Sequence, residues 1–190
     1  MGGKRRLYVF IAAALMSIGA ASYALADRFG PGQVPESKEF HATLNGYQET
    51  PSVSSTGFGD FTATLDDHGA VPTIHYVFRY GGLEGGTSLF AHVHFGERGV
   101  AGGVVYFLCG GGTKPTPCPN VEGTIEGDIT PADITSSIGA TNQGIEPGSF
   151  DEILRAMRAG HAYVNIHTTR WMGGEIRGQI NNDDQKQFDR

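Results

Sequence analysis

Two histidines separated by one residue are the feature of this chain most suggestive of chemistry. The run LFAHVHFGERG, residues 89–99, carries His92 and His94 within an otherwise apolar stretch. Side chains alternate along a β-strand, so both imidazoles are expected on one face. Their backbone positions would then stand roughly 6.5–7 Å apart, close enough for both rings to reach one ion. The pair predicts either two ligands of a metal ion or two members of a hydrogen-bonded polar network.

A third histidine lies in a segment that is expected to form a hairpin. HAYVNIHT, residues 161–168, alternates apolar and polar residues, and so does GEIRGQI, residues 174–180. The glycines of the connecting TRWMGG suit a tight reversal. Simple pairing sets His167 opposite Glu175, Asn165 opposite Arg177, and Tyr163 opposite Gln179. One strand pair would therefore carry an unusual set of polar groups on a single face, although asparagine is disfavoured in strands.

These two stretches together predict a site for one copper or zinc ion, because neutral imidazole suits both metals. The predicted ligands are His92, His94 and His167. The groups predicted to complete the coordination or to orient the ligands are Glu175, Asn165 and Arg177, with a water as the alternative to Glu175. The alternative for the whole set is a structural network in which these side chains bond to one another.

The chain ends indicate an exported protein. A basic start at residues 4–6, an apolar run and the pattern Ala24-Leu25-Ala26 predict a signal peptide over residues 1–26, cleaved before Asp27. An uncleaved anchor is the alternative. Residues 27–35 are expected to form an extended leader and residues 183–190 a disordered tail. We expect a secreted or periplasmic protein with no membrane span after cleavage.

Charge and cysteine content agree with export. All 20 acidic residues follow the predicted signal, and lysine and arginine do not cluster after residue 6. A nucleic-acid partner is therefore not expected. Cys109 and Cys118 flank GGGTKPTP, which in an oxidising compartment predicts a disulfide closing a short loop. The alternative is a pair of soft metal ligands.

The pattern of short apolar runs between glycine-rich breaks predicts an all-β fold. We expect a mostly antiparallel, Greek-key-like sandwich or barrel with one short helix near residues 150–159. The predicted strands cover residues 40–44, 57–65, 73–78, 88–95, 104–108, 121–125, 161–167 and 175–180. For the helix, Ser149 and Glu152 predict a capping box, and Gly160 predicts a left-handed stop. A shorter helical turn is expected after Thr130.

Three stretches resemble the CHRD domain, a family named from the extracellular protein chordin and found in many exported bacterial proteins. They are FHATLNGYQETPSVSSTGFGDFTATL, AHVHFGERGVAGGVVYFL and AGHAYVNIHTTRWMGGEIRGQI. The resemblance implies one compact, mostly antiparallel β domain over residues 36–182, and it implies no established catalytic activity. The positions that match the family's motif are His92, His94, Asn165, His167, Glu175, Arg177 and Gln179.

Two functions follow from these observations. The first is an exported CHRD-domain protein that binds copper or zinc through the three histidines. The second is a non-catalytic extracellular or periplasmic interaction module, with an unidentified protein partner, in which the histidine face is structural. An enzyme is not favoured, because the chain has no nucleophile elbow, phosphate-binding loop or distinctively spaced pair of acids.

Overall fold

A computed structural model describes residues 37–182. The signal peptide predicted at 1–26, the leader at 27–35 and the tail at 183–190 lie outside the described residues. The strands are β1 Glu39–Asn45, β2 Phe58–Asp66, β3 Thr73–Gly81, β4 Ser88–Phe95, β5 Gly103–Cys109, β6 Gly123–Ile129, β7 Ala162–Thr168, β8 Ile176–Gln179 and β9 Asn181–Asn182. The helices are α1 Ile138–Asn142 and α2 Phe150–Arg158, and single 3-10 turns lie at Gly46–Gln48 and Pro131–Asp133.

The strands form one antiparallel sheet in the order β5-β4-β7-β8-β1-β2-β3-β6, with β9 beside β1. The end strands β5 and β6 contact each other, so the sheet curls into a nearly closed barrel. The predicted all-β fold is confirmed. Because the barrel brings β4, β7 and β8 together as direct neighbours, it juxtaposes the two histidine-bearing segments.

The barrel interior is the apolar core. In β2, every second residue is buried, and Phe61, Ala63 and Leu65 point inward. Strand β7 differs, because all seven of its residues are buried, the polar ones included. A strand buried on both faces must have something packed over its outer side. The polar face predicted from the sequence is thus present but is covered by other parts of the chain.

For helix α2, the predicted C-terminal stop is confirmed and the predicted N-terminal cap is not. His161 N–H bonds to the Ala156 carbonyl at 2.8 Å, and Gly160, at φ +71°, bonds to the Met157 carbonyl, which is the predicted left-handed stop. The predicted cap by Ser149 is wrong. Its ψ of 63° lies outside the extended range of an N-cap, and its hydroxyl makes no capping bond.

Two further comparisons with the sequence concern the region after β5. The strand predicted at 121–125 begins instead at Gly123 and continues to Ile129. Val121 cannot belong to it, because its φ of 65° is not an extended conformation. Cys109 and Cys118 form the predicted disulfide, with Cα atoms 5.3 Å apart. The described residues contain no helix long and apolar enough to cross a membrane.

Candidate metal centre

The pairing of β4 with β7 brings the three histidines together. The register sets Phe90 opposite His167, His92 opposite Asn165, and His94 opposite Tyr163. Residues directly opposite in an antiparallel pair project to the same side. We call the outward side chains of β4, β7 and β8 in this region the covered face. It comprises His92, His94, Tyr163, Asn165, His167, Arg177 and Gln179, all of them buried.

The three imidazoles converge on one point of the covered face. One nitrogen from each of His92, His94 and His167 lies within 4.8 Å of the other two. Nitrogen ligands at 2.0–2.1 Å from a tetrahedral zinc are about 3.4 Å apart. Each ring would therefore need to move inward by less than about 1 Å to bind a common ion. The structure thus brings together the three histidines that the sequence predicts as ligands.

Backbone carbonyls determine which nitrogens of two rings carry protons. Nδ1 of His94 lies 2.8 Å from the Gly102 carbonyl, and Nδ1 of His167 lies 2.8 Å from the Met172 carbonyl. A carbonyl only accepts, so both Nδ1 atoms donate. In the neutral imidazole the other nitrogen then carries a lone pair. Nε2 of each ring is therefore available as a metal ligand.

Those two lone pairs face an oxygen rather than a donor. Oδ1 of Asn165 lies 3.1 Å from His94 Nε2 and 3.2 Å from His167 Nε2. The third ring leaves a further polar atom unsatisfied, because Nδ1 of His92 is buried without a hydrogen-bond partner. Buried polar atoms are normally partnered, so an arrangement of acceptors facing acceptors requires a positive charge or an additional donor. A cation at this point would satisfy the lone pairs together.

The surroundings keep the imidazoles neutral. Burial lowers the pKa of His92 to about 2, and the neighbouring His94 and His167 lower it further. Burial likewise lowers the pKa of His94 to about 4, although its bond to the Gly102 carbonyl acts in the opposite sense. The pKa of His167 is lowered for the same reason. Neutral imidazole is the form that binds metals, so the site is ready for an ion at neutral pH.

Asn165 connects the histidines to a carboxyl group that the sequence did not reveal. Its Nδ2 donates to Oε1 of Glu49 at 3.4 Å, and Glu49 is itself buried. Burial raises the pKa of Glu49 to about 7, against the opposing effects of Asn165, Thr50 and Arg177. Glu49 follows a single 3-10 turn in a long loop, where no periodicity predicts burial.

Arg177 and Tyr163 form a stack on His94. The Arg177 guanidinium lies 3.5 Å from the centroid of the Tyr163 ring, and that ring is parallel to the His94 ring within 6° at 4.5 Å. Arg177 also donates to the Glu97 carbonyl at 2.8 Å and to Thr50 Oγ1 at 3.2 Å. The predicted pairing of Asn165 with Arg177 and of Tyr163 with Gln179 is confirmed. Arg177 thus orients a histidine through an aromatic ring and ties the covering loops to the barrel.

Glu175 has a different set of partners from the one we expected. Its carboxylate accepts from Ser55 Oγ at 2.6 Å, Thr168 Oγ1 at 2.9 Å, and the backbone N–H groups of Glu84 and Gly85 at 2.6 and 3.0 Å. Four donors already occupy its two oxygens, so it is not positioned to complete a metal shell. This corrects the expectation for Glu175. The oxygen of Asn165, by contrast, faces two of the imidazoles.

Aromatic rings and the disulfide loop close one side of the cluster. Phe107 meets the His92 ring edge-on at 5.1 Å, and Phe90 lies 4.8 Å from the His167 ring. Gly111 and Gly112, inside the disulfide loop, pack so closely on Phe107 that a Cβ atom at either position would collide with its ring. The predicted disulfide therefore supports the wall of the candidate site rather than supplying ligands.

Comparison with known proteins identifies the family to which the chain belongs. The family model of the CHRD domain matches residues 40–180, a span that contains every residue of the covered face and Glu49. Comparison with curated proteins and with solved structures gives no significant match. The resemblance seen in the three sequence stretches is confirmed. Because the match covers well over half of the chain, the protein belongs to the CHRD domain family.

Proposed function

We propose that this CHRD domain binds one copper or zinc ion through His92, His94 and His167. The observation that carries the proposal is the meeting of the His94 and His167 Nε2 lone pairs with the Asn165 oxygen, at 3.1 and 3.2 Å, without a donor between them. A cation makes this arrangement favourable. The three ring nitrogens would be the ligands, and Asn165 Oδ1 or a water would be the fourth group.

The donor set favours copper over zinc and both over magnesium or calcium. Magnesium and calcium prefer carboxylate and carbonyl oxygens, whereas imidazole suits copper and zinc. Divalent copper generally binds a given nitrogen site more tightly than zinc does. A bound ion would join β4 to β7 and hold the rings in place. The function supported is metal binding, and no reaction is assigned to the site.

The location we propose is outside the cytoplasm, as a secreted or periplasmic protein. The disulfide Cys109–Cys118 supports it, because such bonds persist in oxidising compartments. The basic and apolar residues at 1–26 support it as well, since they have the order of a signal peptide.

A second candidate is a non-catalytic interaction module, which family membership favours. The covered face would then be a structural network. Reversal of the Asn165 amide would direct its NH₂ group at both histidine nitrogens and supply the missing donors. Metal binding by the isolated protein separates the two candidates.

Calorimetric titration of the tag-free mature chain with Cu(II) and with Zn(II) tests the proposal. We expect one ion per chain and loss of that binding in His94→Ala. The matched control is His75→Ala, which removes an exposed histidine of β3 and should bind like the wild type. Circular dichroism checks that both variants fold. Absence of binding, or stoichiometric binding that survives replacement of all three histidines, would contradict the metal site and leave the interaction module.

A further inference from the structure

We infer that Glu49 is a positioning residue that keeps the Asn165 oxygen directed at the three imidazoles. The inference rests on the proposed metal site and adds to it a residue whose carboxylate bonds to Asn165. Its basis is the chemistry of the two ends of an amide. One end of the Asn165 amide accepts hydrogen bonds and the other donates them. The group that bonds to the amide on the side away from the histidines therefore determines which end faces the histidines.

At pH 8, above its raised pKa of about 7, Glu49 is mostly ionised and determines this orientation because its carboxylate oxygens accept and do not donate. Asn165 Nδ2 meets Glu49 Oε1 at 3.4 Å, while Asn165 Oδ1 meets the two Nε2 atoms at 3.1 and 3.2 Å. If the amide reversed, its oxygen would face the carboxylate oxygen with no proton between them. The carboxylate therefore opposes the one rotation that would satisfy the imidazoles without a metal.

The carboxyl group is itself held from several sides. The backbone N–H of Glu49 donates to the Gly46 carbonyl at 3.2 Å, and the Thr50 N–H donates to Oε2 at 3.4 Å. Gly174 closes the other side at a φ of +123°, and a Cβ atom there would collide with Glu49 Oε1 and Asn165 Nδ2. The space beside Gly174 is thus filled by the Glu49–Asn165 pair.

A glutamine at position 49 tests this role. Glu49→Gln has nearly the same shape but can donate as well as accept, so Asn165 becomes free to turn its NH₂ group toward the histidines. Zn(II) affinity at pH 8 should fall by about 10- to 100-fold, as is typical for loss of a group that orients a ligand. The matched control is Glu126→Gln, which neutralises an exposed carboxylate on β6 and should leave affinity unchanged.

A double variant separates orientation from structural support. In Glu49→Gln with Asn165→Asp, residue 165 presents an oxygen at either end, and the new amide at position 49 can donate to one of them. Affinity should return most of the way to the wild-type value. In the metal-free proteins, imidazole nitrogen NMR should show His94 and His167 Nε2 accepting a hydrogen bond in Glu49→Gln but not in the wild type.

The outcomes for Glu49 and for the metal site are distinguishable. If the wild type binds no Zn(II) or Cu(II), the proposed function fails. If the wild type binds but Glu49→Gln binds equally well, the metal site stands and the positioning role is overturned. A loss of affinity that the double variant does not reverse, with unchanged Tm in the single variant, would also overturn it.

Discussion

Histidines on two outer faces of the same barrel differ in their exposure to solvent and in their hydrogen-bond partners. On β2, β3 and β6 the outward side chains face solvent, and we call them the open face. It comprises Asp60, Thr62, Thr64, His75, Arg79, Thr124, Glu126 and Asp128. His75, with a side chain 53% exposed, pairs there with the carboxylate of Asp128. On the covered face, His94 is 7% exposed, donates from Nδ1 to the Gly102 carbonyl, and has its Nε2 3.1 Å from the Asn165 oxygen.

The difference comes from loops rather than from strands. Both faces follow the same alternation, and β3 and β4 carry their histidines at ordinary outward positions. The loops supplying Glu49, Thr50, Glu97, Gly102 and Met172 lie over the covered face alone. They remove water and provide mainly backbone carbonyls as partners. A histidine beside a carboxylate in water remains a surface group, whereas neutral histidines under such loops become potential metal ligands.

The largest expected difference between the faces concerns their arginines. Arg177→Met removes a side chain that is 1% exposed and leaves the Glu97 carbonyl and the Glu49 carboxyl without their cationic neighbour. The free energy of unfolding should fall by about 3–5 kcal/mol. Arg79→Met on the open face should change it by less than about 0.5 kcal/mol. Chemical denaturation of the metal-free proteins measures both, and equal effects would show that the loops do not seal the covered face.

The next effect is a dependence of stability on pH that arises on the covered face. Burial lowers the pKa of His94 to about 4, while an unfolded histidine titrates near 6.5. As pH falls from 6.5 to 4, the unfolded chain gains a proton at this residue that the folded chain does not. The free energy of unfolding should therefore decrease, by about 3 kcal/mol at pH 4 from His94 alone. Denaturation in the presence of chelator should show a shallower slope for His94→Gln, and an unchanged slope would contradict this assignment.

A further small effect is expected when the ion pair of the open face is broken. Asp128→Asn removes the carboxylate partner of His75 from a solvent-exposed pair. Such pairs contribute little, so the free energy of unfolding at pH 6 should change by less than about 1 kcal/mol. Metal binding should be unaffected. A loss above about 2 kcal/mol would mean that the open face is shielded in solution, and the comparison would then need revision.

Much of the barrel follows from sequence because its signals are local. The alternation of Phe61, Ala63 and Leu65 predicts a strand without knowledge of its neighbours, and the hairpin of β7 with β8 follows from two alternating segments and a glycine turn. Ser149 shows the limit of such reasoning. A serine three residues before a glutamate predicts a capping box, but the backbone before α2 does not take the extended conformation that a cap requires.

The grouping of the three histidines was predictable from the sequence, but the groups that support them were not. His92, His94, Asn165 and His167 share a parity along their strands, so the sequence places them on one side. Glu49 belongs to a loop without periodicity, and only tertiary packing buries it. The expected role of Glu175 was wrong for a related reason: its hydrogen-bond donors come from loops near residues 55 and 85, which no strand pattern locates.

The pairing of β4 with β7 determines at which stage of folding the three histidines can come together. His94 and Asn165 are 71 residues apart in the chain, yet they touch. Before β7 docks, His92 and His94 lie without His167, and of the three proposed ligands an ion would find two nitrogens instead of three. The three histidines meet only through the pairing of β4 with β7, so the proposed ion would bind the native state in preference to the unfolded chain. If the proposed ion binds, a free concentration 100 times the Kd would stabilise the fold by about 2.7 kcal/mol, and metal content would then measure how many chains have finished folding.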